Sequence, residues 1–340
     1  MRRFRLWMLV LVTVAVVALT AAASAVGGTS AAGLLIGESS PVASNPNQQA
    51  ITHGQRQAAK LLGWSFKTLD ANLSADKQVS DVDTFINLKV KGIVTWTLDP
   101  GAAGAAYKRA LSRGIPIMDF GSTQNVTTAV FDERGYKCSM GAKAATYISS
   151  RIKGAKVLVI GGPPVPSIVN YTNCFIKAAK AQGLTILERQ DNVKDTAATA
   201  QPIVQDLLTK HPDVQAIWAY NDPSALGAGA VVRSSGKSVW IQGKQKGIIV
   251  MGANGSKDAA AGVRSGVMTV TWDPRPTDMG RIAVQVLAMN LKQGQPLSKL
   301  PKIIVVPMQS WDASNVAKYV DPLKRKVALT PIPKAWIVKR

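Results

Sequence analysis

The chain has 340 residues and a formal net charge of +21, with 46% apolar residues, two cysteines and two histidines. This length and apolar content are enough for two domains of ordinary size, each with its own core. The basic residues alternate with acidic ones along the predicted helices and form no stripe with interleaved aromatic residues, which argues against a nucleic-acid partner.

The N-terminus is typical of a secretory signal peptide. Three arginines precede an uncharged run from Leu6 to Leu19, and Ala23-Ser24-Ala25 supplies a small-residue cleavage site. We therefore predict a signal peptide over residues 1–25 and export to the periplasm or the cell exterior. An uncleaved N-terminal anchor is the alternative, although the run is short for a membrane span. No cysteine lies near the cleavage point, so a lipoprotein is not expected.

From Gly33 onward, short apolar runs alternate with helical patterns at a period of roughly 25 residues, as in repeated βα units. Ten such strands are too many for one doubly wound domain of this length. The predicted fold class is therefore α/β, with two doubly wound parallel-sheet lobes. The predicted strands are Leu34 to Gly37, Ser65 to Leu69, Gly92 to Thr97, Pro116 to Phe120, Val157 to Gly161, Leu184 to Arg189, Val214 to Tyr220, Gly247 to Ala253, Val267 to Thr271 and Ile303 to Val306. The polar loops that follow strands in such a fold lie on the edge where small ligands bind.

Four predicted helices end at a glycine that suits the left-handed position after a helix. The predicted helices run from Gln48 to Leu62, from Ala102 to Arg113, from Ile168 to Gln182 and from Ala225 to Ser235, and the glycines are Gly63, Gly114, Gly183 and Gly236.

The strand predicted at Val214 to Tyr220 ends in Asn221 and Asp222, and a helix follows at once. Pro223 suits the first helical position, and Asp222 suits the N-cap before it. The carboxyl end of a strand, faced by a helix N-terminus, is a usual place for a ligand in open α/β sheets. Two interpretations of Asp222 remain open, a helix cap and a ligand contact.

The two cysteines, Cys138 and Cys174, both belong to the part of the chain expected to be exported. An even pair in an oxidising compartment predicts one disulfide. Cys138 opens one predicted helix and Cys174 lies in the first turns of the next, on either side of the strand at Val157 to Gly161. We therefore expect the two helix ends to meet near the ligand-facing edge.

Short motifs follow one another in a fixed order between Gly33 and Tyr319. They are Ser44-Asn45-Pro46, Gly92-Ile93-Val94 leading to Asp99-Pro100, Arg113 to Ile117, His211 to Gly229, Gly247 to Gly252, Val263 to Gly266 and Asp278-Met279-Gly280. This ordered set resembles the sugar-type periplasmic binding proteins of the ribose-binding class. The resemblance implies two α/β lobes joined by three crossings, which close on a small molecule and deliver it to an ABC permease and its ATPase.

The lobe boundaries expected from this resemblance are 33–131 with 274–298 for the N-terminal lobe, and 132–273 with 301–320 for the C-terminal lobe. A basic tail over 321–340 follows, with no acidic residue after Asp321. Contact of the tail with an anionic membrane or wall surface is one interpretation, and a solvated end is the other.

The resemblance also implies a set of ligand-binding positions, and this chain departs from the family at most of the charged ones. The two Phe that the family often has are replaced by Asn47 and Gln48, and its Asp-Arg pair is replaced by Gly121 and Ser122. Tyr171 stands in place of an Arg, Asn254 in place of an Asp, and Trp272 in place of a Gln. The candidate ligand-binding residues are Asn45, Asn47, Gln48, Trp96, Ser122, Tyr171, Asn221, Asp222, Asn254 and Trp272. We expect an uncharged or weakly polar sugar-like ligand, held by aromatic stacking and neutral amides.

Trp96, Trp218, Tyr220 and Trp272 lie at or near the ends of predicted strands. Their faces suit the apolar faces of sugar rings, but large aromatic residues also fill cores. Trp96 and Trp272 match positions at the ligand edge and are expected to contact the ligand. Trp218 lies in the middle of its strand and is expected to be a core residue.

No catalytic, cofactor or metal motif accompanies this frame. The first strand is followed by Gly37 to Pro41 without a dinucleotide-binding glycine pattern, and no G-x-S-x-G elbow occurs. The histidines, His53 and His211, stand alone and provide no zinc site.

The expected class is an exported solute-binding receptor. The alternatives are a ligand-presenting sensor of the autoinducer-binding kind and, with no visible nucleophile, a secreted α/β enzyme. A DNA-binding repressor of the related lac-repressor class is not expected, because the predicted signal segment occupies the N-terminus, where such a repressor carries its DNA-binding helices.

Overall fold

Two mainly parallel sheets organise the protein in the computed structural model, which describes residues 33–339. A seven-stranded sheet belongs to the N-terminal lobe and a six-stranded sheet to the C-terminal lobe. The predicted signal peptide at 1–25 lies outside the described residues. Within 33–339, no helix has the length and apolar character needed to cross a membrane.

The N-terminal lobe alternates strands and helices from its first residue. Its sheet has the strand order β13-β11-β5-β4-β3-β1-β2, in which only β13 is antiparallel to its neighbour. Its elements are β1 (Leu35–Ser40), α1 (Pro46–Leu61), β2 (Ser65–Asp70), α2 (Ala75–Asn87), β3 (Gly92–Thr95), α3 (Pro100–Ser112), β4 (Ile117–Asp119), β5 (Thr128–Asp132) and, later in the chain, α9 (Pro276–Leu291), β11 (Ile303–Val306) and β13 (Ile337–Lys339).

The C-terminal lobe repeats the same alternation. Its sheet has the order β12-β10-β9-β8-β6-β7, in which β12 is antiparallel to β10. Its elements are α4 (Ser139–Ser149), β6 (Lys156–Gly161), α5 (Pro166–Ala181), β7 (Thr185–Asp191), α6 (Ala197–Lys210), β8 (Ala216–Ala219), α7 (Asp222–Ser234), β9 (Ile249–Ala253), α8 (Lys257–Arg264), β10 (Val270–Asp273) and β12 (Gln309–Asp312).

Each sheet is covered by helices on both faces, so its strands read as continuous apolar runs. In the N-terminal lobe, Met118 and Met279 belong to the core under α1 and α9, whereas Phe85 and Tyr107 belong to the core under α2 and α3. In the C-terminal lobe, Trp218 is 1% exposed and stacks on a phenylalanine of α5. Trp218 is therefore a core residue, as expected. The predicted fold class of two doubly wound lobes is confirmed.

The chain passes between the lobes four times. Passages at 132–139 and 273–276 coincide with two of the three expected boundaries, but the third passage lies at 306–309 and not between 298 and 301. The strand Ile303–Val306 was assigned to the C-terminal lobe, yet it pairs with β5 in the N-terminal sheet. The strands β5, β12 and β13 were not predicted. β12 and β13 are antiparallel edge strands with no crossover helix after them, so the βα alternation does not reveal them.

The C-terminal tail makes the fourth passage. It leaves the C-terminal lobe after a 3₁₀ helix at Val316–Lys318, returns to the N-terminal lobe at a second one, Pro322–Lys324, and ends as β13 beside β11. Val327 and Trp336 pack on the N-terminal lobe. The segment predicted as a basic tail is thus a structural part of the N-terminal lobe, while Lys324, Lys326, Lys334 and Lys339 remain exposed.

Candidate functional site

A cavity of about 470 Å³ lies between the two lobes, at the carboxyl ends of the parallel strands. This volume is in the range that small-molecule sites occupy. The predicted ligand contacts that line it are Asn45, Asn47, Gln48, Trp96, Ser122, Tyr171, Asn221 and Asn254. Asp222 and Trp272 are not among its lining residues, and their positions are described below.

The start of α1 forms part of the N-terminal wall. Asn45 is its N-cap, and its side-chain oxygen accepts a hydrogen bond from the Asn47 backbone N–H at 2.9 Å. Pro46 occupies the first helical position, where a missing N–H costs nothing. Asn47 and Gln48 follow and are 4% and 7% exposed. The cap therefore directs two amide side chains into the cleft.

Trp96 and the loop after β4 form the rest of that wall. The buried carboxylate of Asp119 accepts hydrogen bonds from the backbone N–H groups of Gly121 and Ser122 and so folds the loop back on itself. Burial raises the pKa of this carboxyl to about 6, against the effect of its hydrogen bonds. A Cβ at Gly121 would lie 2.5 Å from the Trp96 ring. Glycine at 121 is therefore required for the indole to lie where it does.

The C-terminal wall comes from the loop and helix after β6. The loop at 162–165, which contains Pro163 and Pro164, leads into α5. The first turns of α5 present Ser167, Asn170 and Tyr171 to the cavity. Tyr171 is 3% exposed, and its ring meets Trp218 edge-on at 5.0 Å between centroids. Its hydroxyl has no hydrogen-bond acceptor among the described residues. Burial raises the pKa of Tyr171 well above its usual value, so the hydroxyl stays protonated and able to donate.

Asp195, in the loop after β7, is the centre of a polar network. It accepts hydrogen bonds from the Tyr220 hydroxyl and the Asn221 amide of its own lobe, and from the Asn45 amide of the other lobe at 3.0 Å. Burial raises the pKa of Asp195, while the hydrogen bonds oppose that effect. A second hydrogen bond across the cleft joins Trp96 to Ser167. The lobes are thus held in a closed arrangement around the cavity.

Arg134 reaches the cavity from the first passage between the lobes. Its Nε and Nη2 donate to Asp132 Oδ2 at 2.8 and 2.6 Å, and its Nη1 donates to Asn254 Oδ1 at 2.9 Å. Its guanidinium lies 5.9 Å from the centroid of the Tyr171 ring. Burial acts to lower the pKa of Arg134, but Asp132 outweighs it and raises the pKa, so the charge is retained. The cleft therefore holds one buried, fully charged guanidinium.

The structure places Asp222 and Trp272 behind the cavity wall. The N-cap of α7 is Asn221, whose oxygen accepts a hydrogen bond from Ser224 N–H at 3.0 Å. The sequence predicted Asp222 as this cap, which is one residue too late. Asp222 is fully buried and accepts from Ser256 N–H and the Thr271 hydroxyl. Asp222, which follows β8, is thus hydrogen-bonded to the loop after β9 and to β10. Burial raises the pKa of Asp222 to about 6.

Trp272 is 9% exposed and packs with its ring edge-on to Tyr147, 6.1 Å between centroids, in the C-terminal core. β10 puts alternate side chains on opposite faces of the sheet, and Trp272 falls on the face covered by α4 and α5. This position supports a packing function for Trp272 instead of the ligand contact expected from the resemblance.

A disulfide joins Cys138 to Cys174, the pairing that the sequence predicted. Cys138 precedes α4 in a left-handed conformation, φ +57°, and Cys174 lies in the third turn of α5. The bond therefore ties the loop that carries Arg134 and Lys137 to the helix that carries Tyr171. Both segments line the cavity.

Sequence reasoning missed Arg134, Asp132 and Asp195 as site residues. Asp132 ends β5, a strand that was not predicted, so the polar group at its end was not recognised. Asp195 follows a predicted strand, but its side chain is aimed by a left-handed backbone at φ +59° that no local motif indicates. Within residues 33–339, no group of three or more His, Cys, Asp or Glu side chains is arranged to hold a metal ion.

Comparison with known proteins agrees with this architecture. A family model described as a periplasmic binding protein domain matches residues 36–296. The ribose import binding protein of Bacillus subtilis is 28% identical over 277 residues, which cover 81% of this chain and 86% of that protein.

Two solved structures share the fold. The Caulobacter myo-inositol binding protein bound to myo-inositol has a TM-score of 0.73 at 22% identity, over 84% of this chain and 95% of that chain. A solute binding protein from Burkholderia graminis in complex with D-arabinose has a TM-score of 0.75 at 20% identity, over 85% and 99%. At these identities the likeness establishes the common two-lobed fold.

Proposed function

This chain belongs to the family of periplasmic binding protein domains, and we propose that it is an exported receptor for one small sugar-like molecule. The family consists of substrate-binding proteins and not of enzymes. The observation that carries the proposal is the cavity of about 470 Å³ between two lobes that are hydrogen-bonded to each other across it. Such a cavity encloses a small ligand and releases it only when the lobes separate.

The relatives support a sugar or cyclic polyol as the ligand class. They include a ribose import binding protein, a myo-inositol binding protein and a protein in complex with D-arabinose. In this chain, Trp96 and Tyr171 supply aromatic surfaces and Asn47, Gln48 and Asn254 supply amides. Aromatic rings stack on the apolar face of a sugar ring, and amides bond its polar groups.

The partners and the location follow from the same proposal. An exported receptor of an ABC importer delivers its ligand to a membrane permease driven by an ATPase, and we propose both as partners of this chain. The predicted signal peptide at residues 1–25 supports export to the periplasm or cell exterior. The lobe surfaces beside the cleft are then the parts that meet the permease.

A ligand screen by thermal shift tests the function. A ligand that binds only the native state raises its stability by RT ln(1 + [L]/Kd), about 2.7 kcal/mol at a hundredfold excess over Kd. Sugars, deoxy sugars, cyclic polyols and heterocycles form the panel. A hit verified by calorimetry should also reduce the radius of gyration in X-ray scattering. A verified ligand that leaves the radius of gyration unchanged would contradict closure on the ligand, and turnover of any hit would contradict the receptor function.

A further inference from the structure

The charged acceptors that line the cleft are already occupied by the protein's own donors. Asp132 accepts from the Arg134 side chain through Oδ2, and from the backbone N–H groups of Arg134 and Gly135 through Oδ1, at 2.8 and 3.2 Å. Asp195 accepts from Asn45, Tyr220 and Asn221. Asp132 therefore has no lone pair left for a ligand hydroxyl, whereas Asp195 keeps one, on Oδ2.

Two of the amide oxygens in the cleft are used in the same way. The Asn221 oxygen caps α7 by accepting from Ser224 N–H, and the Asn254 oxygen accepts from Arg134. The Asn47 oxygen differs, because it is buried without a partner among the described residues. The N-terminal wall thus offers acceptors in Asn47 and Gln48, whereas the groups around Arg134 are mainly donors.

The free donors are concentrated around Arg134. A guanidinium has five N–H groups, and three of them bond to Asp132 and Asn254, which leaves two unpaired within residues 33–339. The Tyr171 hydroxyl is buried and has no acceptor among the described residues, and the exposed Lys137 also lines the cavity. An unpaired buried polar group is costly, so the Arg134 and Tyr171 donors need an acceptor from the ligand.

A plain polyol fits this distribution poorly. Each of its hydroxyls must donate as well as accept, and few acceptors are free around Arg134, because Asp132 is fully occupied and the Asn254 oxygen already accepts from Arg134. A carboxylate or carbonyl oxygen only accepts, and it matches the paired N–H groups of a guanidinium.

We infer that the ligand is a sugar-like ring bearing a carboxylate or carbonyl oxygen, which Arg134 and Tyr171 bind while a ring hydroxyl donates to Asn47. This inference rests on the proposed function and narrows its substrate class. It also differs from the uncharged ligand expected from the loss of the family's charged positions, because Arg134 brings a cation to that region from another element.

The experiment compares matched ligands by calorimetry on the full chain. The pairs are D-glucose with D-glucuronate, D-galactose with D-galacturonate, and D-ribose with D-ribono-1,4-lactone. In at least one pair, the acid or lactone should bind about tenfold or more tightly than its parent sugar, as expected for an added charge-assisted hydrogen bond. Preference for the acids identifies a carboxylate, and preference for the lactone identifies a carbonyl.

Two tyrosine variants separate recognition from packing. Tyr171→Phe keeps the ring and removes the hydroxyl, and it should reduce the advantage of the acid or lactone over its parent by roughly tenfold. Tyr147→Phe is the matched control, because its hydroxyl bonds to Asp312 away from the cavity, and it should leave the advantage unchanged.

The failures are distinguishable. Parent sugars that bind as tightly as their partners in every pair would overturn this inference and leave the proposed function standing. The inference is also wrong if Tyr171→Phe leaves the advantage unaltered. Absence of binding by every member of the panel would count against the proposed function itself, and the inference would fall with it.

Discussion

The indole N–H of Trp96 donates a hydrogen bond to the Ser167 hydroxyl oxygen at 3.2 Å, and the two residues belong to opposite lobes. Trp96 follows β3 in the N-terminal lobe, and Ser167 lies in the first turn of α5 in the C-terminal lobe. Both line the cavity, so this bond exists only while the lobes are closed. It therefore contributes to the stability of the closed state and not to that of either lobe.

Ser167→Ala should increase the rate of ligand dissociation by about two- to tenfold, because a neutral hydrogen bond is worth about 0.5 to 1.5 kcal/mol. The free energy of unfolding should change little. Stopped-flow fluorescence of the tryptophans and chemical denaturation provide the two measurements. The control is Ser234→Ala near the end of α7, whose hydroxyl donates to the Val231 carbonyl of the same helix. Equal dissociation rates in Ser167→Ala and the parent would show that the bond does not hold the lobes.

Asn45 combines two functions that a conservative variant can separate. Its oxygen caps α1, and its amide nitrogen donates to Asp195 across the cleft. Asn45→Ser retains a good N-cap but is too short to reach the other lobe. It should weaken ligand affinity by about two- to tenfold while leaving thermal stability near the parent value.

Asn45→Ala is the comparison for this variant. It loses the cap as well, so it should also unfold about 1 kcal/mol more easily. Calorimetry for affinity and denaturation for stability give both readouts. If Asn45→Ser and Asn45→Ala lose affinity only in proportion to stability, the hydrogen bond to Asp195 does not contribute to closure.

The disulfide should stabilise both the fold and the shape of the cleft. Cys138 and Cys174 are 36 residues apart, and closing a loop of this length contributes about 3 to 4 kcal/mol in the chain-entropy model. Replacing both with serine should lower the midpoint of denaturation and weaken ligand binding, since the loop carrying Arg134 is then released from α5. Peptide mapping without reductant checks the pairing. Two free thiols in protein secreted to an oxidising compartment would contradict it.

The returning C-terminal tail should stabilise, through Arg325, the hinge that the passages between the lobes form. Its guanidinium pairs with Asp273, a fully buried residue at the second passage between the lobes, which also accepts from Gln309 and Trp311 of β12. Arg325→Ala leaves this carboxylate without its cation and should cost about 1 to 3 kcal/mol of unfolding free energy. Lys326→Ala, an exposed neighbour, is the control. Equal denaturation midpoints for the two variants would show that the pair does not stabilise the hinge.

Stability should fall as the pH rises from about 5 to 8, and Glu38 is the principal group tested. Its carboxylate is 2% exposed, and burial raises its pKa to about 7 in spite of hydrogen bonds from Thr52, Thr68 and Gln55. The folded chain binds this proton more tightly than the unfolded chain does. The stabilising contribution is complete below the unfolded pKa of 4.5 and is lost as the pH passes about 7.

Glu38→Gln removes that titration while keeping the size of the side chain. A pKa difference of one between the folded and unfolded chains corresponds to about 1.4 kcal/mol, so the parent should lose up to roughly 3 kcal/mol across this range through Glu38. Asp119 and Asp222 add to the slope in the same direction, since their pKa values are raised to about 6. Denaturation at pH 5 and 8 should show a smaller decline for Glu38→Gln than for the parent or for Asp258→Asn, an exposed control. An identical decline in all three would contradict the assignment to Glu38.

The repeating frame was predictable because it depends on short-range patterns. Apolar runs alternating with helical periods identify βα units, and a glycine after a helix identifies its end. Gly63, Gly114, Gly183 and Gly236 all have positive φ between 71° and 75°. The strand end at Tyr220 and Asn221 was placed at the ligand edge for the same reason, since a strand, a cap and a proline stand side by side in the sequence.

The sequence by itself therefore determined the two-lobed α/β frame, the amide side chains at the start of α1 and the pairing of the cysteines. Only the tertiary structure decided that Arg134 and Asp195 line the cleft, that Trp272 packs in the core behind it, and that the C-terminal segment returns to the N-terminal lobe. These outcomes depend on contacts between distant parts of the chain, such as Arg134 with Asn254 and Asn45 with Asp195. Local periodicity carries no information about such contacts, because loop backbones and the packing of one lobe on the other set them.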